Sequence, residues 1–273
     1  MDKKEVKERL ETELKIQGKS IRTLRMYWFY NEKFLDFVDK DPEKVEEQDI
    51  KLFLAHLLSD KGYDAGSAAL ARSSLKYFYD GMLKKAIMAD IKTPKKYRKI
   101  PDVLTKEEVK YLIDSIKGIR NRLLIEFMYS SGLRVAECSC LKKSDLKLDD
   151  KTGLLKNGKG GKDRFFILSD RVIEDLKKYL PKVDSEYIFP GENGPISVRS
   201  VQKIVQKEAK KAGLKKRVYC HLFRHAFATH LLESGVDIRK IQELLAHANL
   251  QTTQFYTHVS RKELKKVKSP LDD

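Results

Sequence analysis

Three stretches of this 273-residue sequence carry side chains suited to chemistry on an anion. The first, SGLRVAE, sets Arg134 just after Gly132, at the expected start of a helix whose free amides favour negative charge. Pairing with Glu137, three residues on, is an equally available use of that arginine. The second, HLFRHAFATH, places His221 and Arg224 at i and i+3. One helix face then presents a proton-transfer group and a fixed cation to the same phosphate. His221 and His225 are also spaced for a metal. Neither an HExxH glutamate nor a cysteine at ligand spacing accompanies them, so phosphate ranks above zinc. His225 and His230 fit as packed or capping histidines. The third, LLAHANLQTTQFYTHV, supplies His247 and then Tyr256, with Thr252 and Thr253 able to cap the tyrosine's helix. A lone helical tyrosine is more often packing, and Phe255 beside it is the better core residue. Tyr256 gains a chemical role only in company with the arginines and histidines before it.

The elements that must position these groups are mostly helices. A helix is expected from about Lys4 to Ile16, a second opening near Ser20 after Gly18, and a third bearing Ile50, Phe53, Leu54, Leu57 and Leu58 and ending near Gly62. A fourth runs from about Ser67 to Tyr79. Tyr27, Trp28, Tyr30, Phe34 and Phe37 fall at helical spacing and are assigned to core in preference to base stacking. IKTPKKYRKIP then brings two prolines, five cations and no acid, which makes residues 92–101 a basic linker between a first domain, 1–91, and a second, 102–273. Beyond it Thr105 and Glu108 form a T-x-x-E capping box before Val109, Leu112, Ile113 and Ile116. From Leu154 to Leu168 two apolar runs flank NGKGGKD, the pattern of a β-hairpin, so one small sheet is expected. Helices resume over Asp170–Tyr179, Ser197–Ala212 and His221–Glu233.

Composition narrows the partner. The chain has 56 Lys and Arg against 40 Asp and Glu, a net charge of +16, which attracts a polyanion from beyond contact distance. Nucleic acid leads the candidates. Cys138, Cys140 and Cys220 are odd in number and lack CxxC spacing, and MDKKEVKERL has no apolar signal core, so reduced thiols in the cytoplasm are expected. No apolar run approaches the roughly 18 residues of a membrane helix.

Arg134, the pair His221 and Arg224, LAHANLQTTQFYTH with His247 and Tyr256, and the turn GKGGKDR together resemble the tyrosine recombinase/integrase family across the second domain. The short two-domain plan, and His247 where other members carry tryptophan, is most similar to the Xer branch. The resemblance implies a mainly α fold: a helical, SAM-like core-binding domain, then a mixed α/β, mostly helical catalytic domain with a small β-sheet. It makes Lys159 the family's mobile lysine, with Lys162 close enough to leave the choice open. At Cys138, Ser139 and Cys140 the sequence departs from the bulkier apolar residues or glycine common there, which bears on packing more than on chemistry.

The implied reaction is DNA strand cleavage and rejoining, in the manner of type IB topoisomerases. Tyr256 attacks a phosphodiester, displaces a 5′-hydroxyl and leaves a 3′-phosphotyrosine. One phosphoester replaces another, so no ATP or other cofactor is called for. The forks of Arg134 and Arg224 supply the charge stabilisation that metals provide elsewhere. By the same resemblance Lys159 protonates the leaving oxygen, His221 assists proton transfer at the tyrosine and His247 donates a hydrogen bond to the phosphate. The implied partners are a double-stranded recombination site, clamped by both domains, and further copies of the chain, as a tetramer on DNA. Lys95, Lys96, Arg98 and Lys99 of the linker and Lys162 and Arg164 of the hairpin are the expected DNA contacts. The tail from Arg261 either docks on a neighbouring protomer or frays in solvent. Chromosome-dimer resolution at a dif-like site is the expected role. A viral or plasmid integrase and a noncatalytic DNA-binding protein of the same fold are the alternatives.

Overall fold

The computed structural model describes residues 1–93, 103–156 and 163–246. The chain divides into two compact units, Met1–Lys99 and Ile100–Asp273.

Helix α1 (Lys3–Ile16) starts where the Asp2 carboxylate accepts the Glu5 N–H at 2.7 Å, and it buries Val6, Leu10 and Leu14. Ser20 caps α2 (Ile21–Val38) in the same way through the Thr23 N–H. Helices α3 (Glu47–Ser59) and α4 (Ala65–Lys76) complete the bundle, the second capped by Asp64 on the Gly66 and Ser67 N–H groups. Apolar faces of all four meet in one core, where Phe34 packs edge-on to Phe53 and Tyr79. A polar pin crosses it: the buried Asn31 amide donates to Ser74 Oγ at 2.8 Å, and that hydroxyl donates to Tyr27 O.

Three sequence expectations for this unit need correction. Helix α4 stops at Lys76, and Tyr77–Met82 winds into a π-helical turn in place of a straight run to Tyr79. Leu58 is 37% exposed, although Ile50, Phe53, Leu54 and Leu57 on the same helix are buried. Of the aromatic group, Tyr30 and Phe34 are core, Tyr27 and Trp28 are half-buried, and Phe37 is exposed and stacks on His56.

In the second unit α5 (Lys106–Ser115) begins at the expected capping box. Thr105 Oγ1 accepts the Glu108 N–H, and Glu108 Oε2 accepts the Thr105 N–H. Ile116 is buried but lies just past the helix end. Helix α6 (Ile119–Ser130) is buried on successive residues from Leu123 to Met128, as expected of a helix enclosed on every side. Around it pack the short α7 (Val135–Ser139), α8 (Asp170–Tyr179), α9 (Val198–Lys211) and α10 (Cys220–Glu233). Glu126, within α6, is buried, and burial raises its pKa. Arg171 Nε donates to it at 2.7 Å, while Arg122 pairs with Asp175 at 2.6 Å.

Strands β1 (Leu146–Lys147), β2 (Thr152–Leu155) and β3 (Arg164–Ile167) form one antiparallel sheet in that order. The expected hairpin is β2–β3, closed by the Leu155–Arg164 pair. Gly153 is needed there, because a Cβ would lie 2.1 Å from Phe166 Cζ. Strands β4 (Pro190–Gly191) and β5 (Gly194–Pro195) make a second, two-stranded ribbon that sequence patterning did not indicate. Helix α11 (Ile238–Leu245) packs against α10 and β3 and ends at Ala246 in the left-handed conformation, φ 46°. Among the described residues no helix is long and apolar enough to cross a membrane.

Candidate functional site

Arg134 is the N-cap of α7, a helix of only five residues. Its backbone N–H donates to Glu137 Oε2 at 2.7 Å, and its Nη1 donates to Glu137 Oε1 at 2.7 Å. The expectation of an anion drawn to free helix amides is therefore corrected: the helix is too short for a strong dipole, and Glu137 takes the Arg134 amide. Electrostatics at this arginine come from its side chain, 25% exposed. Burial works against ionisation of Glu137, but Arg164 and the bonds from Arg134 outweigh it and hold that carboxyl below its usual range.

Arg224, on α10, is fully buried. Its Nη1 donates to Gly132 O at 2.6 Å and its Nη2 to Leu245 O. One guanidinium thus joins the turn that carries Arg134 to the end of α11. Gly132 has φ +60°, and a Cβ there would lie 2.5 Å from Phe227 Cδ1, so this turn can approach α10 only with glycine.

His221 lies one helical turn before Arg224, at the exposed end of the cluster, with its ring edge-on to His225 at 4.5 Å. Desolvation lowers its pKa, and so do the charges of Arg224 and Arg134. Burial and both arginines thus favour the neutral imidazole, the form that can accept a proton. His225 is pushed down to about 4 by burial, His221 and Arg224. His230 is a packed histidine, its Nδ1 2.9 Å from the Tyr129 hydroxyl.

Arg164, expected at the DNA surface, is 7% exposed and has internal partners: Glu137 Oε2 at 2.6 Å and Leu244 O. A 27-residue separation hides the pairing with Glu137 from any local pattern, whereas the i, i+3 spacing of Arg134 and Glu137 made theirs visible. Lys95, Lys96, Arg98, Lys99, Lys159, Lys162, His247 and Tyr256 lie outside the described residues, as does the tail from Arg261.

The cysteines near the cluster are thiols. Burial raises Cys138 well above the ordinary range and pushes Cys220 up to about 11, so both are packing groups. Among the described residues no group of three or more His, Cys, Asp or Glu is gathered to hold a metal.

The sequence profile of the phage integrase family matches residues 102–263, and that of the phage integrase N-terminal SAM-like domain matches residues 7–88. The chain belongs to the tyrosine recombinase/integrase family. It is a DNA strand-cleaving and rejoining enzyme. Tyrosine recombinase XerA of Pyrococcus furiosus is 40% identical over 273 residues, covering 96% of this chain and 92% of that protein. Tyrosine recombinase XerD of Listeria monocytogenes is 35% identical, covering 92% of each. The structure of the XerH site-specific recombinase bound to difH substrate in a pre-cleavage complex is 25% identical. It aligns with a TM-score of 0.75 over 98% of this chain and 84% of that one.

Proposed function

We propose that this recombinase exchanges strands at a dif-like chromosomal site and so resolves chromosome dimers, with Arg134, Lys159, His221, Arg224, His247 and Tyr256 as its catalytic set. The observation that carries the site is that Arg224, one helical turn from His221 on α10, donates to Gly132 O at 2.6 Å and so ties that helix to the segment leading into Arg134. The Xer names of its relatives, and the difH substrate of the XerH complex, support the biological role.

The Tyr256 oxygen forms a bond to phosphorus as the bond to the 5′ oxygen breaks, and the phosphotyrosine then holds the 3′ end. Tyrosine has a pKa of about 10, so attack at neutral pH needs nearby positive charge and a proton acceptor. The arginines meet the first need. Neutral His221 meets the second, taking the phenolic proton. Lys159, or its neighbour Lys162, gives a proton to the departing 5′ oxygen. His247 donates a hydrogen bond to a nonbridging oxygen while the guanidinium groups hold the charge that accumulates on the phosphorane. Attack by the 5′-hydroxyl of a partner strand reverses the step into a recombinant joint, through a Holliday junction, in a tetramer assembled on two duplexes. Residues 1–91 and 102–273 grip the duplex, and the cationic linker 92–101 crosses its backbone.

A nicked suicide duplex tests the chemistry. The wild type traps a covalent protein–DNA adduct, and Tyr256→Phe, which lacks only the nucleophilic oxygen, binds the duplex equally well and traps none. An adduct with the phenylalanine variant would remove Tyr256 as nucleophile. Selection of bound DNA followed by mapping of the cleavage position tests the biological role: a mobile-element attachment sequence in place of a dif-like chromosomal one would overturn it.

A further inference from the structure

Two buried arginines converge on the end of α11. Arg224 of α10 donates to Leu245 O, and Arg164 of β3 donates to Leu244 O. The C-terminal carbonyls of a helix have no intrahelical partner and carry its partial negative charge, so two guanidinium donors there hold the terminus firmly. The residue after the α11 cap, Ala246, is His247.

Arg164 does more than cap. Its Nη2 reaches Glu137 Oε2 at 2.6 Å, the same oxygen that accepts the Arg134 N–H, while the other Glu137 oxygen accepts Arg134 Nη1. It is also the first residue of β3, paired with Leu155, the last residue of β2. A single residue, 7% exposed, therefore touches the carboxylate that sets Arg134 and the carbonyl at the end of α11, and it begins strand β3. Desolvation lowers the Arg164 pKa and the Glu137 charge opposes that fall, as expected of an internal ion pair.

We infer that Arg164 is a positioning residue for strand cleavage. It fixes Glu137, and through it the Arg134 guanidinium, relative to strand β3 and the end of α11, and it does not contact DNA phosphate. This deepens the proposed function, since it assigns an orienting role within the same site.

Lysine at this position keeps the charge but offers one ammonium where the planar fork meets two acceptors at once. Arg164→Lys and Arg164→Met are compared with the wild type at saturating suicide duplex. Thermal midpoints, DNA affinity across a salt series and amide exchange at Arg134 are measured alongside. The expected result is folded variants with wild-type affinity and salt slope, and single-turnover cleavage slowed on the order of 10- to 100-fold, because misplacement of about 1 Å suffices for that. The Arg134 amide, held by Glu137, exchanges faster in both. Combining Arg164→Lys with Glu137→Gln slows cleavage by less than the product of the single effects.

Weaker binding with a shallower salt slope and unchanged saturated cleavage would make Arg164 a phosphate contact and overturn the inference. So would wild-type cleavage and exchange in a folded variant. A loss of cleavage that merely follows the melting temperature, with Arg134 exchange unchanged below the transition, would reduce Arg164 to a packing residue. Absence of an adduct from the wild type would fail the proposed function alone, because amide exchange decides the positioning role without any cleavage.

Discussion

Arg224 and Arg134 make different demands on their surroundings. Arg224 is wholly enclosed and bonded to two carbonyl groups, so Arg224→Ala strands both acceptors in the core and costs about 2–4 kcal/mol in chemical denaturation. Arg134 is partly open to solvent. Arg134→Lys leaves stability within about 1 kcal/mol of wild type but, lacking the fork, slows cleavage on the order of 100-fold in single-turnover assays. His225 supplies a pH dependence. Its pKa is about 4 in the folded protein against an ordinary 6.5, so above pH 6.5 it is neutral in both states. Below that value the unfolded chain takes up the proton first, and stability falls as pH drops toward 4. Denaturation midpoints across this window should show the decline, and His225→Gln should flatten it by about 2–3 kcal/mol in all, the lower figure allowing for solvent screening of the partly exposed ring. The reactive residue types were legible in the sequence because guanidinium, imidazole and phenol have few uses together beyond a phosphate. Their partners were not. Arg164 looked like a surface cation until the fold set Glu137 and Leu244 O against it.

Gly132 shows how an element's end governs the site. A methyl group there meets Phe227 and Leu245 and is held at positive φ, so Gly132→Ala should destabilise by about 1–3 kcal/mol. It should also slow cleavage, since the same turn presents Gly132 O to Arg224 and leads into Arg134. Urea melts and adduct formation would be read on one preparation. Caps and breaks along the sequence located most helices well, as Thr105 with Glu108 does for α5. Errors fell where local periodicity has no purchase. Leu58 is eight residues from Ile50, and at about 100° per residue it lies some 80° around the helix, which is enough to face solvent. Within the π-helical turn at Tyr77–Met82, Tyr79 packs edge-on to Phe34, a contact between residues far apart in the sequence. The β4–β5 ribbon pairs Pro190 with Pro195 and Gly191 with Gly194, residues with no alternating apolar pattern to betray them.

For the molecule as a whole, the +16 charge makes DNA binding a counterion-release process. Raising salt from roughly 50 to 200 mM should weaken association by about 1,000-fold or more if six or more phosphates are neutralised. A titration with a slope far below that would assign the excess charge to solubility. The mainly helical class, the β-hairpin and the order Arg, Lys, His, Arg, His, Tyr were determined by the sequence alone, because helix caps, turn residues and motif spacing are local or ordered properties of a chain. Tertiary structure alone decided which of the cations are internal. Burial strips water from a guanidinium and obliges it to find acceptors, and those acceptors, the Glu137 carboxylate and the carbonyls of Gly132, Leu244 and Leu245, come from segments that only folding brings together.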